Sequence, residues 1–501
     1  MFSGAFRGYG PGAGVAMRAA EERNRGAGLA KVGGLVGVAV SALVLAIAPG
    51  AAGQGRGALE MYTLEGPPDD IARAIPGVEL VAPQQTPSGI RADAVLTKAE
   101  RAKVAASGVA VELKRNKKGQ TVTEQAAAQA AGGFNVWRSW DEPGGIRDEL
   151  YSLARQNPQL VKLEVLGTTH QGRELIALKL TQSAREVPDG LRPAVLYSSN
   201  QHAREWISLE VNRRLLNYFT DRWRANDKAI KGLLKDTELW FVISANPDGY
   251  QYTFEQERLW RKNLRDNNGD GQITVGDGVD PNRNFAEHFG YDNEGSASDP
   301  ADETYRGPSA ASEPETQAMQ GLIDRITPRF QSNLHSYGEW LLYPQGWQVG
   351  TLDADYPIYV ATGGTDAASA IPGFNVGQSA DTLYVTNGET TDYADTSAGT
   401  VAFTPELGEG TPGAGFVFPD DEDLIQAEFE KTLDFHLGLA RSAVDPENPQ
   451  SPVGIGVEPF TSTPIKSIRR TGRPRCSTSS STSPTAIRRR PACSPSAASA
   501  M

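Results

Sequence analysis

Cysteine is nearly absent from this sequence. Its 501 residues include two cysteines, Cys476 and Cys493, and both lie near the C-terminal end. Everything upstream must therefore fold without a disulfide, which excludes the small disulfide-stapled scaffolds common among exported proteins. The fold must depend on packing and on any metal that it binds.

Positive charge is also in the minority. Lys and Arg number 49 against 61 Asp and Glu, so the formal net charge is −12 at pH 7. This balance argues against a nucleic-acid-binding protein, but it says little about a small substrate. The hydrophobic content of 39% suffices for a substantial core, so we expect a globular protein.

Long hydrophobic runs are scarce, and the prominent one lies near the N terminus, from Val32 to Ala48. Basic residues precede it and small residues follow it, which is the order of a secretory signal. We interpret residues 1–53 as a signal peptide and expect a secreted, extracellular protein that leaves the membrane once the signal is removed. The alternative is a single membrane anchor, although the run is short for a span and glycine interrupts it.

The composition of the remaining chain indicates four segments. Residues 54–118 contain the strand-like and helix-like patterns LEMYTLEG, GVELVAP, LTKAERAKVAASG and VAVELKR, which predict a small α+β domain. Between a signal and a larger domain, such a unit suggests a propeptide, and the alternative is an accessory domain that is never removed. Residues 119–133, polar and then Ala-rich, predict a linker. Residues 444–501 are rich in Ser, Pro, Arg and Thr and predict a disordered tail.

Residues 134–443 form the predicted main domain. GIRDELYSLARQNPQL predicts a helix that ends at Asn157-Pro158, and VKLEVLGTTHQGRELIALKLT predicts two strands joined by a turn. Strands and helices then alternate up to DEDLIQAEFEKTLDFHLGLARS, which predicts a closing amphipathic helix. The alternation is typical of an α/β fold with a central mixed, mostly parallel twisted sheet flanked by helices.

The stretch NQHAREWIS offers His202 and Glu205 in an H-x-x-E spacing, between a strand-like and a helix-like segment. In a tight turn that enters a helix, an imidazole and a carboxylate three residues apart can converge on one cation, and zinc suits this pair of ligands. A lone H-x-x-E is a weak signal, because surface ion pairs show the same spacing.

A third metal ligand should come from another strand end. Among the five histidines, His335 in FQSNLHSYGEW is the best placed, because an apolar strand pattern precedes it and a Ser-Tyr-Gly turn follows. His170 falls in the turn between two predicted strands, and His436 falls on the closing helix. We expect both of these to be structural or exposed.

Six motifs follow one another along the main domain: NQHAREWIS, NPDGY, RLWRKN, DPNRNF, HSYGEWLLYPQGW and FTPEL. In this order they resemble the zinc metallocarboxypeptidases of the carboxypeptidase A/B family, over roughly residues 134–442. The resemblance implies a zinc-dependent exopeptidase that hydrolyses the C-terminal bond of peptides and proteins. Together with the N-terminal segments it implies a secreted zymogen of bacterial type, which an activating protease would process.

The resemblance also implies a metal centre. His202, Glu205 and His335 match the zinc ligands of the family, and they leave a fourth position open for water. Asp280 matches a carboxylate that hydrogen-bonds and orients the first zinc histidine, as metal-bound histidines usually require.

The same resemblance assigns the reaction and the substrate contacts. Glu406 matches the general base that activates the zinc-polarised water and then protonates the leaving amine, and Arg261 matches the arginine that polarises the scissile carbonyl. Asn282 and Arg283 match the pair that holds the free C-terminal carboxylate, for which a planar guanidinium is well suited. Other matching substrate-binding positions are Arg204, Arg258, Tyr384, which precedes Glu406 by 22 residues, and Thr391.

Thr391 aligns with the floor of the family's specificity pocket. A neutral hydroxyl can neither pair with a buried cation nor present a fully apolar wall, so we expect broad specificity that leans to hydrophobic and aromatic C-terminal residues. Asp392 matches a position that the family keeps acidic whatever the specificity.

One loop, DNNGDGQITVGD, departs from the animal digestive enzymes of the family. Asp266, Asn268 and Asp270 stand at alternate positions before Gly271, an arrangement that calcium prefers, and Asp277 closes the loop where a glutamate is usual. We therefore expect Ca²⁺ here, and the alternative is a solvated acidic turn.

Two other functions use the same framework. One is a zinc amidase, deacylase or cell-wall peptide hydrolase, which Arg261, Asn282 and Arg283 disfavour because they serve a peptide terminus. The other is a catalytically inactive binding protein, which has no need of Glu406.

Overall fold

The computed structural model describes residues 58–457 of the chain. The predicted signal peptide, both cysteines and most of the predicted tail lie outside these residues. No helix in the described part is long and apolar enough to cross a membrane.

A four-stranded antiparallel sheet with two helices forms a small N-terminal domain, with the strand order β2-β3-β1-β4. Its elements are β1 (Glu60–Gly66), α1 (Pro68–Ala74), β2 (Val81–Thr86), β3 (Gly89–Leu96), α2 (Lys98–Ser107) and β4 (Ala110–Leu113). The patterns predicted β1, α2 and β4 but neither α1 nor β3. The strand predicted from GVELVAP begins only at Val81, so Glu79 lies in the loop before it.

Local signals explain the bounds of α2. Thr97 Oγ1 accepts a hydrogen bond from Glu100 N at 3.2 Å, and Glu100 Oε2 accepts one from Thr97 N at 2.8 Å, which satisfies two free donors of the first turn. Gly108 ends the helix with a φ of 86°, a left-handed conformation that glycine adopts at little cost. The predicted stop at Gly108 agrees with this geometry.

The segment 119–133 differs from the predicted linker, because its Ala-rich part forms α3 (Val122–Gly132). Thr121 caps the first turn, and Gln125 Nε2 donates to the carbonyl oxygen of Gly413 at 3.0 Å. The helix is therefore fastened to the main domain. Alanine favours helix more than any other residue, and composition alone does not distinguish that preference from flexibility.

The main domain contains nine helices, ten strands and a short 3-10 helix at Pro281–Arg283 within the described residues. The first half comprises α4 (Ile146–Gln156), β5 (Val161–Thr168), β6 (Glu174–Leu180), β7 (Ala194–Ser199), α5 (Trp206–Arg224), α6 (Lys228–Asp236), β8 (Glu238–Val242) and α7 (Pro247–Glu255). The second half begins with α8 (Pro314–Ile326), β9 (Phe330–Ser336), β10 (Trp340–Tyr343) and α9 (Tyr356–Gly363). It continues with β11 (Gly364–Thr365), β12 (Ala368–Ser369), β13 (Asn375–Gln378), α10 (Ser379–Thr382), α11 (Thr390–Ala398), β14 (Val401–Leu407) and α12 (Glu422–Ser442).

Eight of these strands form one mixed sheet, in the order β13-β10-β14-β9-β7-β8-β6-β5. The pairs β10/β13, β9/β14, β7/β9 and β7/β8 are parallel, and the other three pairs are antiparallel. The predicted α/β class with a mixed, mostly parallel sheet flanked by helices is confirmed.

Apolar layers cover both faces of the sheet. Along β7, Val195 and Tyr197 pack in a cluster with α4, α5 and α12, whereas Ala194 and Leu196 pack in a second cluster with α8 and α11. Alternate residues of a strand point to opposite faces, so a strand covered on both sides must be apolar throughout. The run AVLY in β7 meets this requirement.

The parallel strands bring three predicted site residues to one edge of the sheet. β7 ends at Ser199, three residues before His202, and β9 carries His335 near its end. Glu406 on β14 is the register partner of His335 on β9. The carboxyl ends of parallel strands share an edge, which is where α/β proteins usually bind ligands.

The chain after α12 differs in part from the predicted tail. Ser442 Oγ accepts a hydrogen bond from Gln450 N at 2.7 Å, Ser451 Oγ donates to the carbonyl oxygen of Thr362 at 2.7 Å, and Val453 packs against the core. Prolines end the regular structure, as predicted, but irregular chain can still pack. The predicted disorder is therefore wrong for residues 450–453, whereas the predicted tail from residue 458 onward lies outside the described residues.

Candidate active site

Two histidines and a glutamate converge beyond the ends of β7 and β9. His202 Nδ1 lies 2.7 Å from Glu205 Oε1, and His335 Nδ1 lies 3.1 Å from Glu205 Oε2. The two Nδ1 atoms lie 3.0 Å apart. All three side chains are buried, and Glu205 directly precedes the first turn of α5.

This arrangement fits a metal ion. Ligand atoms about 2.0–2.2 Å from a tetrahedral zinc stand roughly 3.3 Å apart, close to the separations here. The two ring nitrogens face each other and the same carboxylate, so their lone pairs point to a common position. His202, Glu205 and His335 would hold zinc, which leaves a fourth position open.

A second layer fixes the ring orientations. His202 Nε2 lies 3.2 Å from Asp280 Oδ1, so a proton on this nitrogen leaves Nδ1 as the metal ligand. His335 Nε2 lies 2.9 Å from Asn333 Nδ2 and 3.3 Å from Gln201 Oε1. Although burial opposes it, the two histidines hold the pKa of Glu205 below its ordinary value. Burial lowers the pKa of His335, whereas Glu205 and Asp280 raise the pKa of His202 against the effect of burial. An anionic carboxylate and a neutral imidazole are the ligand forms that zinc requires.

Glu406 lies beside the three ligands because of its register with His335. Burial raises the pKa of Glu406 well above its usual value, and the nearby carboxylates of Glu205 and Glu79 raise it further. A carboxyl group with a raised pKa can accept a proton and later return it. The geometry therefore suits the role that the sequence predicts for Glu406.

A carboxylate that the sequence analysis did not single out also lies in this cleft. Glu79, from the loop before β2, places Oε2 at 2.5 Å from Arg261 Nη1 and at 2.8 Å from Arg204 Nη2. Its Oε1 accepts a hydrogen bond from the Tyr384 hydroxyl at 3.2 Å. Although burial opposes it, Arg261 and Arg204 lower the pKa of Glu79 to about 2. The N-terminal domain thus places an anion against three predicted substrate-site residues.

Arg261 and Arg204 each pair with a second carboxylate besides Glu79. Arg261 donates from Nε and Nη2 to Asp280 Oδ2, at 3.1 and 2.8 Å. Arg204 pairs with Glu303 Oε1 at 2.6 Å, and its guanidinium lies over the ring of Phe416 at 4.2 Å. Each guanidinium therefore keeps a fixed position with one edge directed at Glu79.

Asn282 and Arg283 follow Asp280 in the short 3-10 helix. Asn282 Oδ1 accepts hydrogen bonds from Thr390 N at 2.9 Å and Thr390 Oγ1 at 2.8 Å, which leaves the amide NH₂ as a donor. Arg283 Nη1 donates to the carbonyl oxygen of Asn282, but its buried Nε has no hydrogen-bond partner among the described residues. A buried guanidinium with an unused donor suits a carboxylate ligand.

Thr391 has an acidic neighbour that the sequence analysis missed. Thr391 Oγ1 donates to Glu389 Oε1 at 3.0 Å, and Thr386 Oγ1 donates to Glu389 Oε2 at 2.6 Å. Gly346 N donates to both oxygens of Asp392, and a Cβ on Gly346 would stand 2.5 Å from Glu389 Oε1. Burial and the neighbouring Glu389 carboxylate raise the pKa of Asp392 well above its ordinary value.

Arg258 donates hydrogen bonds to backbone carbonyl oxygens near the active site. Its Nη1 donates to the carbonyl oxygen of Arg204 and its Nη2 to that of Phe416, both at 2.8 Å, and its guanidinium lies 3.8 Å from the centre of a Trp206 ring. These contacts hold the loop that carries Arg204. The predicted substrate contact of Arg258 stays a prediction.

In the loop Asp266–Asp277, the carboxylates of Asp266 and Asp277 accept hydrogen bonds from donors within the loop itself. Asp266 accepts hydrogen bonds from Gly269 N and Gly271 N, whereas Asp277 accepts from Thr274 N and Oγ1 and from Asn267 N. Asn268 Nδ2 donates to Asp270 Oδ2 at 3.1 Å. Among the described residues, the groups of three metal-binding side chains close enough to share an ion do not include this loop. The calcium prediction gains no support from this arrangement.

The two histidines expected to be structural or exposed differ from each other. His436 is buried against Ser332, with 3.1 Å between Nε2 and Oγ, and burial lowers its pKa to about 3. His170 is partly exposed and lies beside two glutamates, Glu313 and Glu315.

Comparisons with known proteins agree with this geometry. The family model Peptidase_M14, described as zinc carboxypeptidase, matches residues 146–434. The chain is 30% identical to carboxypeptidase B of Astacus astacus over 299 residues, which cover 58% of this chain and 93% of that protein. It is 32% identical to carboxypeptidase A4 of Mus musculus over 309 residues, which cover 60% and 69%.

A solved structure supports the fold. Carboxypeptidase A from Helicoverpa armigera superposes with a TM-score of 0.63 and 24% identity over 77% of this chain and 97% of that chain. The resemblance inferred from six motifs is confirmed, because the family model covers more than half of the chain. The chain belongs to the zinc carboxypeptidases of peptidase family M14, which are metallopeptidase hydrolases that act at peptide C termini.

Proposed function

We propose that this protein is a secreted zinc carboxypeptidase made as a latent precursor, and that it removes single residues from free C termini. The observation that carries the proposal is the meeting, in one cleft, of the three metal ligands, Glu406 and Arg283, whose buried Nε has no hydrogen-bond partner among the described residues. A peptidase that needs a free terminus requires both a reaction centre and an anion-binding group beside it.

The chain's own residues can perform each part of the reaction. Arg283 and the Asn282 amide hold the substrate's terminal carboxylate, and Arg261 donates to the scissile carbonyl oxygen. Zinc, when bound, supplies a Lewis acid that makes water a stronger nucleophile near neutral pH. Glu406 takes a proton from the attacking water and gives it to the nitrogen that leaves as the C–N bond breaks.

Glu389, beside Thr391, changes the preference for C-terminal residues that we expect from Thr391 alone. The Glu389 carboxylate lies within hydrogen-bond distance of Thr391 and faces the bare Cα of Gly346. A buried carboxylate there would pair with the side chain of a C-terminal Lys or Arg, while the walls can still accept apolar residues. We propose that the enzyme uses basic as well as hydrophobic C termini.

The N-terminal domain is proposed to be an inhibitory propeptide. Glu79 occupies Arg261, Arg204 and Tyr384, so a substrate carbonyl or carboxylate cannot bind these groups at the same time. Cleavage after this domain, by a protease acting on the precursor, would clear the site. The basic and apolar pattern of residues 1–53 supports secretion of the precursor.

The amidase or deacylase alternative is less well supported, because a substrate without a free carboxylate would leave the Arg283 guanidinium buried and unpaired. An inactive binding protein would not need Glu406 beside the metal ligands.

The test is the Glu406→Gln variant in processed, zinc-loaded protein. We expect it to keep zinc and to lose at least about 100-fold in kcat on a peptide with a free C terminus, the usual scale for a positioned acid/base. His202→Ala, which should lose the active-site zinc as well as activity, is the matched comparison. Wild-type turnover in Glu406→Gln would contradict the proposal.

A further inference from the structure

A second cluster of metal-binding side chains lies outside the active site. His170 is in the turn between β5 and β6, and Glu313 and Glu315 stand at the start of α8. Each offers a ligand atom, and these atoms lie within 4.8 Å of one another. Between residues 58 and 457, this group and the active-site triad are the two that bring such side chains so close together.

The hydrogen bonds leave one carboxylate oxygen of this cluster without a donor among the described residues. Asn263 Nδ2 donates both to Glu313 Oε2 at 2.8 Å and to Glu315 Oε2 at 3.1 Å, and His170 Nε2 lies 2.8 Å from Glu313 Oε2. Arg265 Nη1 pairs with Glu313 Oε1 at 3.0 Å. Glu315 is only 1% exposed, and its Oε1 has no hydrogen-bond partner in the described chain. A buried carboxylate oxygen without a donor is costly, so the arrangement favours a cation.

The two carboxylates differ in pKa: although burial opposes it, the hydrogen bonds to Glu313 lower its pKa. Burial raises the pKa of Glu315 to about 7, and the hydrogen bond to Glu313 raises the pKa of His170. A divalent ion would satisfy both carboxylates together and leave the imidazole neutral as a ligand. Arg265, which pairs with the outer oxygen of Glu313, balances part of the remaining charge.

We propose that His170, Glu313 and Glu315 form a second metal site, separate from the catalytic centre, that takes a divalent transition-metal ion of the zinc type. One imidazole nitrogen and two carboxylate oxygens are a donor set that zinc accepts, whereas calcium needs six or more oxygens. The site joins the hairpin at the edge of the main sheet to the start of α8. A bound ion would therefore stabilise the folded chain without taking part in the reaction.

The experiment measures zinc per chain by mass spectrometry in the full-length protein, after saturation with zinc and removal of free ions. We expect two zinc ions in the wild type and one in His170→Ala. One zinc should also remain in His202→Ala, which removes a catalytic ligand. The His170 side chain is 28% exposed, so its removal should not prevent folding.

Two further readouts separate a second site from a structural effect. His170→Ala should keep its peptidase activity and lose a zinc-dependent rise of a few degrees in Tm that His202→Ala retains. Glu315→Gln, which keeps the shape but removes the charge, should likewise bind one zinc. One zinc in the wild type, or two in both the wild type and His170→Ala, would overturn the proposal.

Discussion

Replacing Glu79 by glutamine should release the hold of the N-terminal domain on the active site. Glutamine keeps the shape of the side chain but removes the charge that faces Arg261 and Arg204. Breaking a buried ion pair costs about 3–5 kcal/mol, and the lower end applies because Asp280 and Glu303 still neutralise the two arginines. About 3 kcal/mol corresponds to about 100-fold in the equilibrium between the docked and the displaced domain.

The assay compares uncleaved and cleaved protein on an N-blocked dipeptide with a free C terminus. The uncleaved Glu79→Gln variant should be up to about 100-fold more active than uncleaved wild type, whereas the cleaved forms should be equal. Glu112→Gln, an exposed position on β4 of the same domain, is the matched control and should behave as wild type. Equal activity of all three uncleaved proteins would refute inhibition through Glu79.

The remaining predictions concern the specificity pocket and acid stability. Glu389→Gln should lower kcat/KM for substrates with C-terminal Arg by roughly 30-fold, because a lost buried charge pair costs about 2 kcal/mol. The kcat/KM for substrates with C-terminal Leu should stay nearly unchanged. Equal effects on both substrates would exclude Glu389 from the pocket. The pKa of His436 is about 3 in the folded state, below its ordinary value of 6.5. Between pH 6.5 and pH 3 the unfolded state binds a proton that the folded state excludes. The contribution of His436 to the free energy of unfolding is therefore fully present above pH 6.5 and is lost as the pH falls to 3. Urea denaturation of His436→Gln should therefore show a pH slope shallower by up to about 1.4 kcal/mol per pH unit in that range, and an unchanged slope would show that His436 does not titrate on unfolding.

The sequence predicted the metal centre because its signals are local. His202 and Glu205 share one turn, and a strand pattern places His335 at a strand end. The position of Glu406 beside them depends on the register of β14 against β9, which composition and periodicity do not reveal. The role of Glu406 can be assigned only because six ordered motifs resemble a known family.

The residues that sequence reasoning missed act across distances that a motif does not cover. Glu79 reaches the active site from another domain, and its own segment predicted only a strand. Glu389 stands two positions before Thr391, but its importance depends on Gly346, which lies far away in sequence. The signal in the sequence that could have found Glu389 is a glutamate two positions before a predicted pocket residue.

The central claim is that the cleft recognises a free C terminus and cleaves the bond next to it. Its most direct test follows one peptide, with either a free or an amidated C terminus, by mass spectrometry after addition of processed, zinc-loaded protein. The free peptide should shorten one residue at a time from its C terminus, and the amidated peptide should be far slower. Arg283→Ala should weaken the use of the free terminus by about 2–5 kcal/mol and barely change the slow amidated reaction. Internal cleavage, or equal rates on both peptides with the wild type, would contradict the account.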